Sequence, residues 1–130
     1  MQIGCVLEEV IGGKEAGTMG TEYRMFCQAV QMGNDVTICI WGGDTPHIGS
    51  TVVSTARPSL TGEGISVSSS VINGIGHKDE YIARKLAEAV AKQGQCTAVC
   101  TCGIHIDGIS REQIGAVAEA GERLLARLLG

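Results

Sequence analysis

The feature that most restricts this chain is a change of hydrophobic period near residue 78. Upstream, Ile65, Val67, Ser69 and Val71 alternate with Ser66, Ser68, Ser70 and Ile72. A repeat of two is that of a half-buried strand, here with one hydroxyl-rich face. That face can line a ligand cleft or simply meet water. Downstream, Ile82, Leu86, Ala89 and Val90 recur at i, i+4, i+7 and i+8. This is the single stripe of an amphipathic helix, predicted over Asp79–Gln93. Asp79 and Glu80 in its first turn and Lys92 in its last suit the helix dipole, and Gly94 supplies a stop.

The rest of the chain follows the same two signals. Residues 2–11 read as an edge strand ended by Gly12-Gly13, and Lys14–Thr21 as a loop. Glu22–Gln31 and Val36–Trp41, joined by Met32-Gly33-Asn34-Asp35, read as a hairpin. Ser50–Ala56 is a further strand closed by Arg57-Pro58-Ser59, and Thr97–Cys102, short and uncharged, is a central one. Ser110-Arg111-Glu112-Gln113 is a capping box that opens a last helix, with Ile114, Val117, Gly121, Leu124 and Leu128 along one side. Strands early and helices late predict an α+β domain over residues 1–130. Its sheet is mostly antiparallel, of five or six strands, with two helices on one face.

Composition excludes several classes of function. A net charge of −4 without a basic patch, and only four aromatic residues, argue against nucleic acid as a partner. No apolar run approaches the ~18 residues of a membrane span. The absence of a basic-then-apolar leader makes a cytoplasmic location the expectation. The six cysteines lie mostly in strand-like apolar company and lack the C-x₂-C spacing of zinc knuckles. They are read as reduced, small core residues.

Chemistry concentrates at three junctions, each holding one of the three histidines. They are Trp41-Gly42-Gly43-Asp44-Thr45-Pro46-His47-Ile48-Gly49, Gly76-His77-Lys78-Asp79-Glu80, and Gly103-Ile104-His105-Ile106-Asp107-Gly108. Every histidine follows an apolar run, lies within three residues of an acid and is flanked by glycine. We expect the junctions to meet at one end of the sheet. The His77 junction opens a helix, whose free N–H groups favour an anion such as phosphate, with Lys78 adding charge and Asp79 and Glu80 opposing it. His47, His77, His105 and Asp107 are also a conceivable ligand set for a divalent metal. Alternatively, each His–Asp pair merely fixes a tight loop. No G-x-S-x-G elbow, P-loop or dinucleotide fingerprint is present.

At the same junctions, together with Arg57-Pro58-Ser59, the sequence resembles the LpdD-like proteins over about residues 20–118. These are small accessory proteins of prenylated-flavin decarboxylases that act on hydroxyarylic acids. The resemblance implies a non-catalytic chaperone that holds prenylated FMN, or FMN, between a flavin prenyltransferase and a UbiD-type decarboxylase. The implied binding set is Asp44, Pro46, His47, Ile48, Gly49, Arg57, Ser70, Gly76, His77, Lys78 and His105. Arg57 and Lys78 are expected to meet the phosphate, and the histidines the cofactor or a bridging metal. Two other readings remain open: a metal-dependent enzyme using the three histidines, and a structural decarboxylase subunit. A homo-oligomer, expected as a dimer, follows from the apolar strands of so short a domain.

Overall fold

The computed structural model describes residues 1–12, 23–74 and 78–130, with Lys78 by its backbone. Six strands and two helices follow in the order β1 (Val6–Ile11), β2 (Tyr23–Met32), β3 (Asp35–Gly43), β4 (Ser50–Pro58), β5 (Ile65–Asn73), α1 (Lys78–Gly94), β6 (Thr97–His105) and α2 (Arg111–Leu129). The strands form one sheet in the order β1-β2-β3-β6-β4-β5. All neighbours are antiparallel except β3 and β6. This is the expected α+β architecture. The predicted loop Lys14–Thr21 lies outside the described residues.

Strand parity decides which side is buried. Leu7, Met25, Cys27, Ile38, Ile40, Val52 and Cys100 share one face and are at most 7% exposed. α1 covers that face over β4, β5 and β6, and α2 covers it over β1. Leu86, Val90, Leu124 and Leu128 project into it. Each such side chain contributes about 1.5–3 kcal/mol on leaving water. Among the described residues, the opposite face of the sheet carries no helix.

Local chemistry sets the helix limits. Ser110 accepts from the Gln113 backbone N–H and Gln113 reciprocates, the capping box read from sequence. A Cβ at Gly121 would lie 3.4 Å from the Ile82 side chain of α1, an ordinary contact, so the close approach expected of this glycine does not depend on its missing side chain. Ile114, expected on the buried stripe, is instead 46% exposed, because burial falls on Gln113, Ala116 and Val117. Gly94 closes α1 as its last residue, and the left-handed position belongs to Gln95 at φ +48°. α2 is pinned to β1 by Arg123 and Arg127, which reach the Glu9 carboxylate at 2.7 Å each. These two guanidiniums hold the Glu9 carboxyl below its ordinary value of 4.5.

Candidate functional site

Two of the three junctions are stitched together at one end of the sheet. β3 and β6 run parallel, so the loops leaving them emerge on the same side. The Asp44 N–H donates to the His105 carbonyl at 2.6 Å, and the Asp107 N–H donates to Asp44 Oδ2 at 2.9 Å. The chain then doubles back over β6: Gly49 N–H donates to the Cys102 carbonyl at 3.0 Å. Gly103 makes this crossing possible. A Cβ there would overlap the His47 carbonyl and lie 3.1 Å from the Ile48 nitrogen.

α1 brings the third contribution through Asp79. Its side chain is 1% exposed, and Oδ1 accepts from the Ile104 N–H at 3.1 Å. Oδ2 faces His47 Nε2 at 3.5 Å. Gly49 leaves room for this carboxylate, since a Cβ at 49 would approach Asp79 Cγ to 2.9 Å. His47 Nδ1 lies 3.2 Å from the Thr45 carbonyl. His105 Nε2 pairs with Asp107 Oδ1 at 2.8 Å. The two imidazoles stand edge to face with centroids 6.3 Å apart. Each is thus oriented by its own acid.

The remaining expected residues are placed unevenly. Asp44, Pro46 and Ile48 lie exposed on the same loop, Ile48 at 78%. Gly76 and His77 lie outside the described residues, as does the Lys78 side chain; its backbone starts α1. Arg57 sits at the opposite end of β4, seven residues beyond Ser50, or roughly 23 Å at strand rise. There it donates to Ser68 at 2.7 Å and to the Pro58 carbonyl. Ser70 faces the open side of the sheet opposite Val53. Within one chain, then, neither Arg57 nor Ser70 joins the histidines. Among the described residues no three His, Cys, Asp or Glu side chains are grouped to hold a metal ion.

Asp79 was read from sequence only as a first-turn acid that would repel an anion. Its parity carried the missed signal. Counting back from Ile82 and Leu86 by three and seven places it on the buried stripe of α1, and a carboxylate on such a stripe needs partners.

Comparison with known proteins agrees with this frame. The family model for the prenylated flavin chaperone LpdD-like domain matches residues 19–130. Protein LpdD of Lactiplantibacillus plantarum is 32% identical over 109 residues, 82% of this chain and 76% of that protein. The chain belongs to the LpdD-like family. The role this family membership carries is that of a chaperone. At the level of fold alone, the chain is similar to one from the crystal structure of a chaperone complex for yeast 20S proteasome assembly. That likeness has a TM-score of 0.54 at 8% identity, covering 96% of this chain and 91% of the other.

The family description names a prenylated flavin. Two oriented imidazoles and an exposed isoleucine suit the polar edge and apolar face of a flat heterocycle. Three carboxylates, Asp44, Asp79 and Asp107, disfavour a phosphate placed among them. A phosphate would have to lie away from all three.

Proposed function

We propose that this LpdD-like chain is a non-catalytic carrier of prenylated FMN that passes the cofactor to a UbiD-type aromatic acid decarboxylase. The observation that supports this most is the joining of the His47 and His105 loops with the Asp79 turn of α1 at one end of the sheet. In this reading His47 and His105 bond the polar edge of the flavin, and Ile48 covers part of its face. Asp79 and Asp107 fix the two imidazoles so that little ordering remains to be done on binding. No nucleophile or acid–base step is assigned to the chain. The bound group supplies its own chemistry once transferred. A flavin prenyltransferase would load the carrier and the decarboxylase would unload it.

The test is anaerobic coexpression with a flavin prenyltransferase. The purified protein is expected to carry a flavin-type absorption spectrum and a ligand of the mass of reduced prenylated FMN. His47→Ala and His105→Ala should each lose most of that ligand while keeping their fold. A colourless protein under these conditions, or full loading of both variants, overturns the reading.

A further inference from the structure

The sheet has two edges, and only one of them is guarded. At β1 the arginines of α2 occupy backbone carbonyls: Arg127 donates to that of Glu8 at 2.6 Å and Arg123 to that of Val10 at 2.8 Å. Glu8 and Glu9 add charge to the same strand. Such devices keep an edge from pairing with other chains. β5, at the far edge, has none of them. Its nine residues, Ile65–Asn73, include no charge and no proline, and they pair with β4 without a bulge. Parity gives the direction of its backbone groups. Gly74 N–H donates to the Gly49 carbonyl, and Ala56 N–H to the Cys96 carbonyl. Continued along the ladder, even-numbered residues of β5 bond to β4 and odd-numbered ones point away from it. Val67, Ser69 and Val71 thus turn N–H and C=O outward, and among the described residues no backbone group meets them.

We infer that β5 receives an extended segment of another protein, which adds one antiparallel strand to the sheet. Backbone bonds supply the attraction, and the flanking side chains set which sequence is accepted. On the helix side Val67 and Val71 pack against the core, and between them Ser69 donates to Glu88 Oε2 at 2.6 Å. The segment therefore carries apolar residues opposite the two valines and a small one opposite Ser69. On the open side Arg57 reaches across from β4 and donates to Ser68 Oγ at 2.7 Å. Its other bond goes to the Pro58 carbonyl, and among the described residues it meets no carboxylate. That guanidinium lies over β5, one strand spacing of about 4.8 Å from the added chain. An Asp or Glu opposite Ser68 completes the pair. Charge also rules against a second copy at this edge. A two-fold axis between two β5 strands would bring Arg57 toward Arg57, and Glu88 toward Glu88 at the middle of the pair. One end of the docked segment lies beside Asn73, which pairs with Ser50 where the His47 loop closes. The partner is thereby held next to the candidate site. This inference does not rest on the flavin reading.

Amide hydrogen exchange of the full chain, read residue by residue by NMR, tests it with the capped peptide Thr-Val-Thr-Ser-Glu-Val-Thr as the probe. Paired antiparallel, its valines fall opposite Val71 and Val67, and its glutamate opposite Ser68. Without peptide, the amides of Ser68, Ser70 and Ile72 should be protected by β4. Those of Val67, Ser69 and Val71 should exchange about tenfold or more faster. Saturating peptide should slow this second set about tenfold or more and leave the first unchanged. N-methylation of the peptide's serine should abolish the effect, because that N–H faces the Ser69 carbonyl. Replacing its glutamate by lysine should weaken binding about fivefold, and Arg57→Gln should erase that difference. Protection of Val67, Ser69 and Val71 before any peptide is added overturns the inference, since the edge is then already covered. Protection that falls on dilution would name a second copy as the cover. No response at millimolar peptide, or an equal response to the N-methylated one, overturns it as well. The peptide series decides the matter even should Arg57→Gln fold poorly.

Discussion

Gly103→Ala isolates what holds the candidate site together. The residue lies in β6 opposite Trp41, locked between β3 and β4, so the strand cannot yield. The added methyl would enter the space of the His47 carbonyl, and the loop 44–49 would have to lift. Lifting stretches the Gly49-to-Cys102 backbone bond and the longer one from His47 N–H to the Gly103 carbonyl. Each is worth about 0.5–1.5 kcal/mol, and residual crowding adds about 1–3 kcal/mol. A total of about 2–6 kcal/mol lowers the melting temperature by on the order of 10 °C in a domain this size. The His47–Asp79 pair would separate as well. Thermal unfolding followed by dichroism reads the first effect, and the ¹⁵N shifts of the His47 and His105 rings read the second. Gly115→Ala is the control: its Cβ would meet open space on α2, so it should stabilise by about 0.5–1 kcal/mol. Unchanged melting and unchanged ring shifts in Gly103→Ala would refute the crossing-loop account.

Three further outcomes follow from the same geometry. Asp79→Asn keeps an oxygen for the Ile104 N–H but removes the charge facing His47. It should fold, with the His47 ring signals broadened or shifted, whereas Asp79→Ala should lose about 1–3 kcal/mol in urea unfolding. Glu9 has its carboxyl depressed chiefly by hydrogen bonds from Arg123 and Arg127. A lowered folded-state value means its contribution is present above the ordinary value of 4.5 and lost as pH falls through the folded value. Stability measured from pH 6 downward should therefore decline less steeply in Glu9→Gln than in wild type. Burial pushes the Cys27 thiol up to about 12 and raises those of Cys96 and Cys100. These three should resist a maleimide in the native protein and react only on unfolding, while Cys5 labels at once.

The elements were legible because each carries its own periodic signal, and the corrections lie at their ends. Arg57 and Pro58 read as a stop, yet β4 continues through them. Proline is tolerated at that last strand position, beside Ile65 of β5. The pairing of β3 with β6 was not readable, because β4, β5 and α1 intervene and no local pattern names a partner so far along the chain. Yet that parallel pairing brings the His47 and His105 loops to the same side. The glycines at 49 and 103 belong to the same lesson. In sequence they were simply glycines flanking the histidines; in the fold they admit Asp79 and the His47 backbone. Resemblance could mark Arg57 as a member of the binding set without saying that a strand's length separates it from the histidines. Should Arg57 share a ligand with them, it must come from another copy of the chain. Two carriers, one His47→Ala and the other Arg57→Ala, mixed into one dimer, should then load a single site where neither variant alone loads any. Loading by Arg57→Ala alone at the wild-type level would remove Arg57 from the site.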